Sequence, residues 1–252
     1  MIRRPLLRFL AAAAFLAHVP FASASAADTT VVLVHGAFAD GSSWNKIIPK
    51  LQARGLKVIS VQNPLTSLAD DVAAARRAID NASGNVVLVG HSWGGTVITE
   101  AGNHDKVKAL VYVAAFAPSK GESSADQGKN YETPPGIAKL VADPAGFLSL
   151  PAEAVASDFA QDVTPAEANL IAITQGPIRG ASFDEKITAA AWETRPSWYI
   201  VASKDHMIQP AYESKTAQKI HAKVTTLPSS HVPMVSHPKE VADVIIAAAT
   251  NH

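Results

Sequence analysis

The feature that constrains this chain most is an alternation between short, continuous apolar runs and segments with helical spacing. The first half contains four apolar runs, TVVLVHG, LKVISV, NVVLVG and KVKALVYVAA. Between the first two lies SSWNKIIPKLQARG, which has helical spacing and contains Pro49, a residue that can kink a helix. Apolar strands joined by helices are typical of a parallel sheet covered on both faces. The sequence therefore predicts an α/β fold.

The alternation stops between about Pro118 and Arg195, where several prolines and the weakly helical stretches PAEAVASDFAQ and TPAEANLIAI occur. It resumes with SWYIVASKD and AKVTTLP, which complete a sheet of about six strands. A segment inserted between parallel strands lies above their carboxyl ends, where such sheets bind ligands. We therefore expect one domain, residues 27–252, with a helical cap at about 118–195.

The first 26 residues have the layout of a secretory signal peptide. A start with three arginines is followed by an apolar run from Phe9 to Ala22, and small residues offer cleavage after Ala24 or Ala26. This pattern predicts a bacterial protein that is exported to the periplasm or secreted, and it leaves the Sec and twin-arginine routes both open.

Charge and cysteine content exclude several classes of function. The chain has 22 basic and 22 acidic residues, and loss of the three leader arginines leaves 19 basic residues and a net charge of −3. A mildly acidic domain without basic runs offers no electrostatic attraction for nucleic acid or an anionic membrane. The absence of cysteine excludes thiol catalysis and cysteine-ligated metals.

The stretch LVGHSWGGTV contains a G-x-S-x-G motif, formed by residues 90–94, between a strand and a helix. A sharp strand-to-helix turn needs small residues two places before and after the serine. Such a turn exposes the serine hydroxyl and directs the helix N-terminus at a developing oxyanion. This context favours Ser92 as a nucleophile over a serine that merely occupies a glycine turn.

A serine nucleophile needs a base, and the base needs a carboxylate that orients it. In folds with this elbow the chain order is serine, acid, histidine, each in a loop after a strand. Asp205 ends the first strand after the cap and is the predicted acid. Asp158 and Asp162 lie in the cap, where we expect solvated charges on a helix face.

Nine histidines compete for the role of the base, and their places along the chain separate them. His231 lies in the loop directly after the last strand, where a ring can reach over the edge of the sheet. His237 begins the next helix, where packing is the simpler explanation. We therefore predict that His231 is the base.

An oxyanion hole needs two backbone N–H groups. Trp93, immediately after the nucleophile, should supply one of them. The other should come from the loop after the first strand, where Gly36 allows close approach of the backbone to a substrate. Ala37 is the first candidate there, and Phe38 is the alternative.

With these residues placed, the chain resembles the α/β-hydrolase superfamily, and more narrowly the plant methylesterase and hydroxynitrile-lyase branch with its bacterial serine esterase relatives. The resemblance covers essentially the whole mature chain and is strongest at VVLVHGAFADGSSW, VVLVGHSWGG, LVYVAAFAP, VASKD and SSHVPM. It implies Ser92 as nucleophile, His231 as base and then acid, and Asp205 as its orienter. The lyases carry a threonine and a lysine where this chain has Gly36 and Val232, so cyanohydrin cleavage is not expected.

The resulting hypothesis is an exported serine hydrolase that cleaves the ester of a small, fairly apolar acid or alcohol, with no metal or organic cofactor. A lactonase, a carbon–carbon bond hydrolase, an amidase or a perhydrolase could use the same triad. A non-catalytic protein that binds a small ligand on this scaffold is the alternative of another class. Five residues are candidates for contact with substrate: Gly36, His91, Phe147, Phe159 and Phe183.

Overall fold

The structure, a computed structural model, describes residues 28–251. The expected signal peptide at residues 1–26 lies outside the described residues. The strands are β1 (Thr29–Val34), β2 (Lys57–Val61), β3 (Asn85–His91), β4 (Val107–Val113), β5 (Val141–Ala142), β6 (Phe147–Ser149), β7 (Ile178–Arg179), β8 (Ser197–Ala202) and β9 (Lys223–Leu227). The α-helices are α1 (Ile48–Gln52), α2 (Leu68–Asn81), α3 (Trp93–Ala101), α4 (Ser124–Gly128), α5 (Ala152–Ala154), α6 (Pro165–Thr174), α7 (Pro210–Lys219), α8 (Pro233–Ser236) and α9 (Pro238–Thr250).

Six of these strands form one parallel sheet in the order β2-β1-β3-β4-β8-β9. Strands β1 and β8 are buried along their whole length, whereas the edge strand β2 is mostly half-buried and the edge strand β9 is mostly exposed. The predicted α/β fold with about six parallel strands is therefore confirmed. The chain moves outward from β1 to β2 and then returns to the other side of β1 with β3. This reversal of strand order opens a crevice at the carboxyl ends of β1 and β3.

The first predicted helix is wrong in extent. In place of one helix over 42–55, the chain forms a 3₁₀ turn at Gly41–Trp44 and then the short helix α1. Pro49 lies in the first turn of α1. A proline at that place loses no intrahelical hydrogen bond, so it marks the start of a helix instead of a kink within one. The second helix, α2, begins after Ser67, whose side chain caps it by accepting the Asp70 N–H at 3.0 Å.

The segment between β4 and β8 is less purely helical than expected. It contains α4, α5 and α6, but also a three-stranded antiparallel sheet in the order β5-β6-β7. Each of these strands has only two or three residues, which is too short to show an alternating pattern in the sequence. The turn that joins β5 to β6 uses Gly146 with a φ of +83°, a value that glycine adopts without strain.

Candidate active site

The motif serine lies between β3 and α3 in a strained conformation. Ser92 has φ 52° and ψ −119°, which is unusual for a residue with a side chain. Three backbone hydrogen bonds hold it: its N–H donates to Val113 at 3.1 Å, and its carbonyl accepts from Gly95 at 2.9 Å and from Phe116 at 3.2 Å. Such strain persists only where the surroundings over-determine it, and it is common at functional sites.

The glycines around the serine are required by close backbone contacts. A Cβ atom at Gly90 would stand 2.5 Å from the carbonyl oxygen of Gly94, and one at Gly95 would stand 2.2 Å from that of Phe116. A Cβ at Gly36 would stand 2.7 Å from Cβ of Ser92. The small residues of the motif therefore allow the elbow and the loop after β1 to pack directly on each other.

Asp205 and His231 follow the adjacent strands β8 and β9 and meet at the carboxyl edge of the sheet. Both are buried, and Nδ1 of His231 lies 2.5 Å from Oδ2 of Asp205. The other carboxylate oxygen accepts the backbone N–H groups of Met207 at 2.6 Å and Ile208 at 2.9 Å. Because a carboxylate only accepts hydrogen bonds, this pairing places a proton on Nδ1 of His231.

His91 supports the loop of His231 from below. Its Nε2–H donates to the backbone carbonyl of His231 at 2.8 Å, and the two rings are 4.8 Å apart. Burial holds the pKa of His91 well below its usual value, and the nearby His231 lowers it further. His91 is therefore neutral, and it is not one of the residues that line the cavity described below.

The loop after β1 presents free backbone donors next to Ser92. Within residues 28–251 no hydrogen bond is formed by the backbone N–H of Ala37 or of Phe38, and Phe38 has a φ of +58°. Trp93 is the first residue of α3, so its N–H is beyond the reach of intrahelical bonds. These three groups are the ones that the sequence predicts as oxyanion donors.

His35 fixes the start of that loop. Its Nδ1–H donates to the carbonyl of Gly36 at 2.8 Å, and its Nε2 accepts the backbone N–H of Asn63 at 2.9 Å. A single neutral tautomer satisfies both bonds, and burial lowers the pKa of His35, which favours that neutral form. The ring therefore acts as a rigid link between the carboxyl ends of β1 and β2.

Asp71 holds the side chain of Trp93 from the other side. It is fully buried, and its carboxylate accepts the indole N–H of Trp93 at 2.7 Å and the backbone N–H of Leu65 at 2.8 Å. Burial raises the pKa of Asp71 to about 6, although both hydrogen bonds oppose the shift, and the nearby Asp70 and Glu185 add to it.

An apolar cavity of about 350 Å³ opens at this place, and it is called the site cavity below. Ser92, His231, Ala37 and Phe38 all line it. Its remaining walls are mainly apolar and aromatic side chains, including Phe116, Tyr131, Leu148, Phe183, Met207 and Tyr212.

Of the five candidates for substrate contact, Phe183 lines the site cavity and packs edge-on against the ring of Trp93 at 5.3 Å. The other four, Gly36, His91, Phe147 and Phe159, are not among its lining residues. Phe159 instead packs against the ring of His231 at 5.2 Å. Leu148, the neighbour of Phe147 on the cap strand β6, lines the cavity in its place.

The expectation of a solvated charge is wrong for Asp158, whereas Asp162 is exposed as expected. Asp158 is only 4% exposed and accepts hydrogen bonds from Lys139 at 2.6 Å and Ser157 at 2.5 Å. Asp162 is exposed, but it accepts the backbone N–H of Ser230 at 2.8 Å. The contacts with Lys139 and Ser230 join parts of the chain that are far apart in sequence, so no local pattern reveals them.

Glu213 on α7 is a buried carboxyl that sequence reasoning missed. Its Oε2 accepts the backbone N–H of Ala202 at 2.8 Å, and its Oε1 has no hydrogen-bond partner within the described part of the chain. Burial raises the pKa of Glu213 well above its usual value, and the neighbouring Asp205 raises it further. Both influences favour the neutral form of the Glu213 carboxyl.

Neither a metal site nor a membrane-spanning helix lies between Asp28 and Asn251. No group of three or more His, Cys, Asp or Glu residues in this range is placed to hold a metal ion. Each helix in the range is too short or too polar to cross a membrane.

The chain belongs to the alpha/beta hydrolase family, whose model matches residues 31–244. It is 29% identical over 245 residues to the probable hydrolase R7 of a Phoma species, a match that covers 87% of this chain and 97% of the relative. It is 24% identical over 259 residues to methylesterase 2 of Arabidopsis thaliana, with 87% of this chain and 95% of the relative covered. The resemblance to the methylesterase branch is thus confirmed.

A solved structure has the same fold. The pyrethroid hydrolase of Sphingobium faniae JZ-2 aligns with a TM-score of 0.75 at 24% sequence identity. The alignment covers 88% of this chain and 98% of that one. The chain is accordingly a hydrolase of the α/β-hydrolase type with esterase-like relatives.

Proposed function

We propose that this chain is an exported serine hydrolase that cleaves a carboxylic ester of a small, apolar acid or alcohol. One observation carries the proposal: Ser92 lines the same apolar cavity as His231, and His231 is hydrogen-bonded to the buried Asp205. A nucleophile, a base and an orienting acid are the minimum set for acyl transfer through a covalent intermediate. The names of the relatives, a methylesterase among them, agree with ester cleavage.

In this mechanism Nε2 of His231 accepts the proton of the Ser92 hydroxyl while Oγ attacks the ester carbonyl carbon. The negative charge that develops on the carbonyl oxygen is accepted by the backbone N–H groups of Trp93 and Ala37. The tetrahedral intermediate collapses, the bond to the alcohol breaks, and the imidazolium returns its proton to the leaving alcohol oxygen. Asp205 stabilises the imidazolium through the bond to Nδ1 and keeps the ring oriented.

The second half of the reaction repeats these steps with water. His231 accepts a proton from a water molecule, whose oxygen attacks the acyl carbon. The acid product then leaves as the proton returns to Oγ of Ser92. The apolar cavity walls favour an apolar acyl or alcohol group, because polar groups buried there would lose their hydrogen bonds to water.

The proposal is tested by hydrolysis of a graded series of p-nitrophenyl esters, from acetate to longer acyl chains, by the purified mature protein. Ser92→Ala and His231→Ala should each abolish turnover. His237→Ala is the matched control and should leave activity unchanged. The side chain of this second histidine is hydrogen-bonded to that of Ser236 at the start of α9. Circular dichroism checks that every variant is folded.

The outcomes separate the hypotheses. Hydrolysis that survives in Ser92→Ala would overturn the mechanism. Absence of turnover on every ester, together with absence of labelling of Ser92 by a fluorophosphonate, would instead favour a binding protein on this scaffold.

Export is tested separately. Mass spectrometry of the exported product measures where the signal peptide is cleaved, which should be after Ala24 or Ala26.

A further inference from the structure

A short piece of the cap, residues 158–162, contacts both loops that carry the acid–base pair; we call it the cap brace. It begins in a π-helical turn, Val155–Phe159, closed by a hydrogen bond from the Ala160 N–H to the Val155 carbonyl at 2.8 Å. Isolated π turns are rare in proteins as a whole, and those that occur are often found at functional sites. In this one, Asp158, Phe159 and Ala160 are buried, whereas Ser157 is exposed.

The cap brace holds the acid loop on both sides of Asp205. The side-chain amide of Gln161 donates to the backbone carbonyl of Lys204 at 2.6 Å. Oδ1 of Asp158 lies 3.3 Å from Nδ1 of His206. The residue immediately before Asp205 is therefore hydrogen-bonded to the cap brace, and the residue after it lies beside the Asp158 carboxylate.

The cap brace also holds the loop of the base. Oδ2 of Asp162 accepts the backbone N–H of Ser230 at 2.8 Å, one residue before His231. The ring of Phe159 packs against the His231 imidazole at 5.2 Å with an interplanar angle of 65°. His91 contacts the same imidazole at 4.8 Å. The ring of His231 is thus held by Asp205, Phe159 and His91 together.

Charge balance makes the buried part of the cap brace stable. Burial alone would raise the pKa of Asp158, but hydrogen bonds from Lys139 and Ser157, the charge of Lys139 and the contact with His206 hold it below its usual value. Asp158 is therefore ionised at neutral pH, and its salt bridge to Lys139 keeps the π turn fixed from within the cap.

We propose that the cap brace positions the Asp205–His231 pair for catalysis, an inference that rests on the proposed function. None of residues 158–162 is among the lining residues of the site cavity, so these side chains do not contact the substrate there. Their effect is on the orientation of the two loops. Small displacements of a base relative to its nucleophile are costly, of the order of 100-fold in rate for about 1 Å.

This role predicts loss of turnover without loss of substrate binding. Asp162→Ala removes the acceptor of the Ser230 N–H, and Phe159→Leu removes the aromatic face against His231. Each should lower kcat, and the rate of labelling of Ser92 by a fluorophosphonate, by roughly tenfold, the effect of losing one charge-assisted hydrogen bond or a comparable contact. KM should stay within about twofold, because uniform binding of the substrate is unaffected.

Two further variants make the test specific. Asp162→Asn keeps a carbonyl oxygen for the Ser230 N–H and should restore most of the rate. Glu153→Ala removes an exposed carboxylate of the same cap, on α5, and should change nothing. The pH profile of kcat/KM is recorded for each variant, since its acid limb reports the ionisation of the base in the free enzyme and should move when the His231 loop is released.

The outcomes distinguish this inference from the proposed function. If Ser92→Ala is inactive but Asp162→Ala and Phe159→Leu keep wild-type kcat and labelling rates, the cap brace is not a positioning element and the hydrolase mechanism stands. If KM rises while kcat and labelling are unchanged, the segment serves substrate binding and the inference is wrong. Equal losses in Asp162→Ala and Asp162→Asn would also overturn it. Activity in Ser92→Ala would remove the proposed function itself.

Discussion

The buried carboxyl of Asp71 should make the stability of this protein depend on pH in the direction opposite to that of a salt-bridged aspartate. Its pKa is raised from 3.8 to about 6, first because burial disfavours the charged form. Between these values the folded chain binds a proton more tightly than the unfolded chain does. The free energy of unfolding contributed by this group therefore falls as the pH rises from about 4 to about 6, and it stays low above that range.

The size of the effect follows from the two pKa values. A shift of this size corresponds to about 3 kcal/mol over the whole range and to about 2 kcal/mol between pH 4.5 and pH 7.5. Asp71→Asn removes the titration but leaves one of two donors, the Trp93 indole or the Leu65 N–H, facing an amide NH₂. That cost is the same at both pH values. The loss of unfolding free energy caused by Asp71→Asn should therefore be about 2 kcal/mol smaller at pH 7.5 than at pH 4.5.

Urea unfolding at the two pH values, followed by circular dichroism, measures this difference directly. Groups that titrate in the range but lie far from Asp71 contribute equally to the wild type and the variant and cancel. Asp105→Asn, at an exposed carboxylate, controls for the removal of one charge. An Asp71→Asn variant with the same loss of stability at both pH values would refute the reasoning, because it would mean that Asp71 titrates alike in the folded and unfolded chains.

Two further predictions concern packing around the site. Gly95→Ala should prevent stable folding, since its Cβ would stand 2.2 Å from a backbone oxygen of Phe116, whereas Gly128→Ala, with open space around the added atom, should be nearly neutral in thermal unfolding. Glu213→Gln should cost less than about 1 kcal/mol, because burial favours the neutral form of the native carboxyl and the amide oxygen can still accept the Ala202 N–H. Glu213→Ala leaves that donor buried and unpaired, at a cost of about 1–3 kcal/mol or more in urea unfolding. Equal losses in the two Glu213 variants would mean that the carboxyl is ionised.

The main sheet could be predicted from the sequence because its central strands are continuous apolar runs buried on both faces. The four runs in the first half correspond to β1, β2, β3 and β4, and the helices between them predict that these strands run parallel. The cap strands could not be predicted in this way, since two residues cannot show a period of two. The short helix at Ile48–Gln52 was misjudged because Pro49 suits a helix start as well as a kink.

The residues of the candidate site likewise fall into two groups, those that a strand pattern marks in the sequence and those that it does not. Ser92, Asp205 and His231 each follow a recognisable strand, so chain order alone singles them out, and their roles stay predictions until the variants are assayed. Asp162 and Glu213 carry no such signal. Their importance comes from a backbone N–H more than ten residues away in each case, and a single sequence does not contain that information.

The place of the cap in the chain has a consequence for folding kinetics. Strands β1 to β4 pair across at most 56 residues, from Thr29 to Asn85, but the next pairing in the sheet joins Leu110 to Ser197, 87 residues apart, across the whole cap. Closing so long a loop is entropically expensive, and pairings of this kind form slowly. The half that carries Ser92 can therefore condense early, whereas the loops of Asp205 and His231 arrive only when β8 and β9 dock. During refolding, the recovery of fluorophosphonate labelling of Ser92 should accordingly lag behind the recovery of secondary structure.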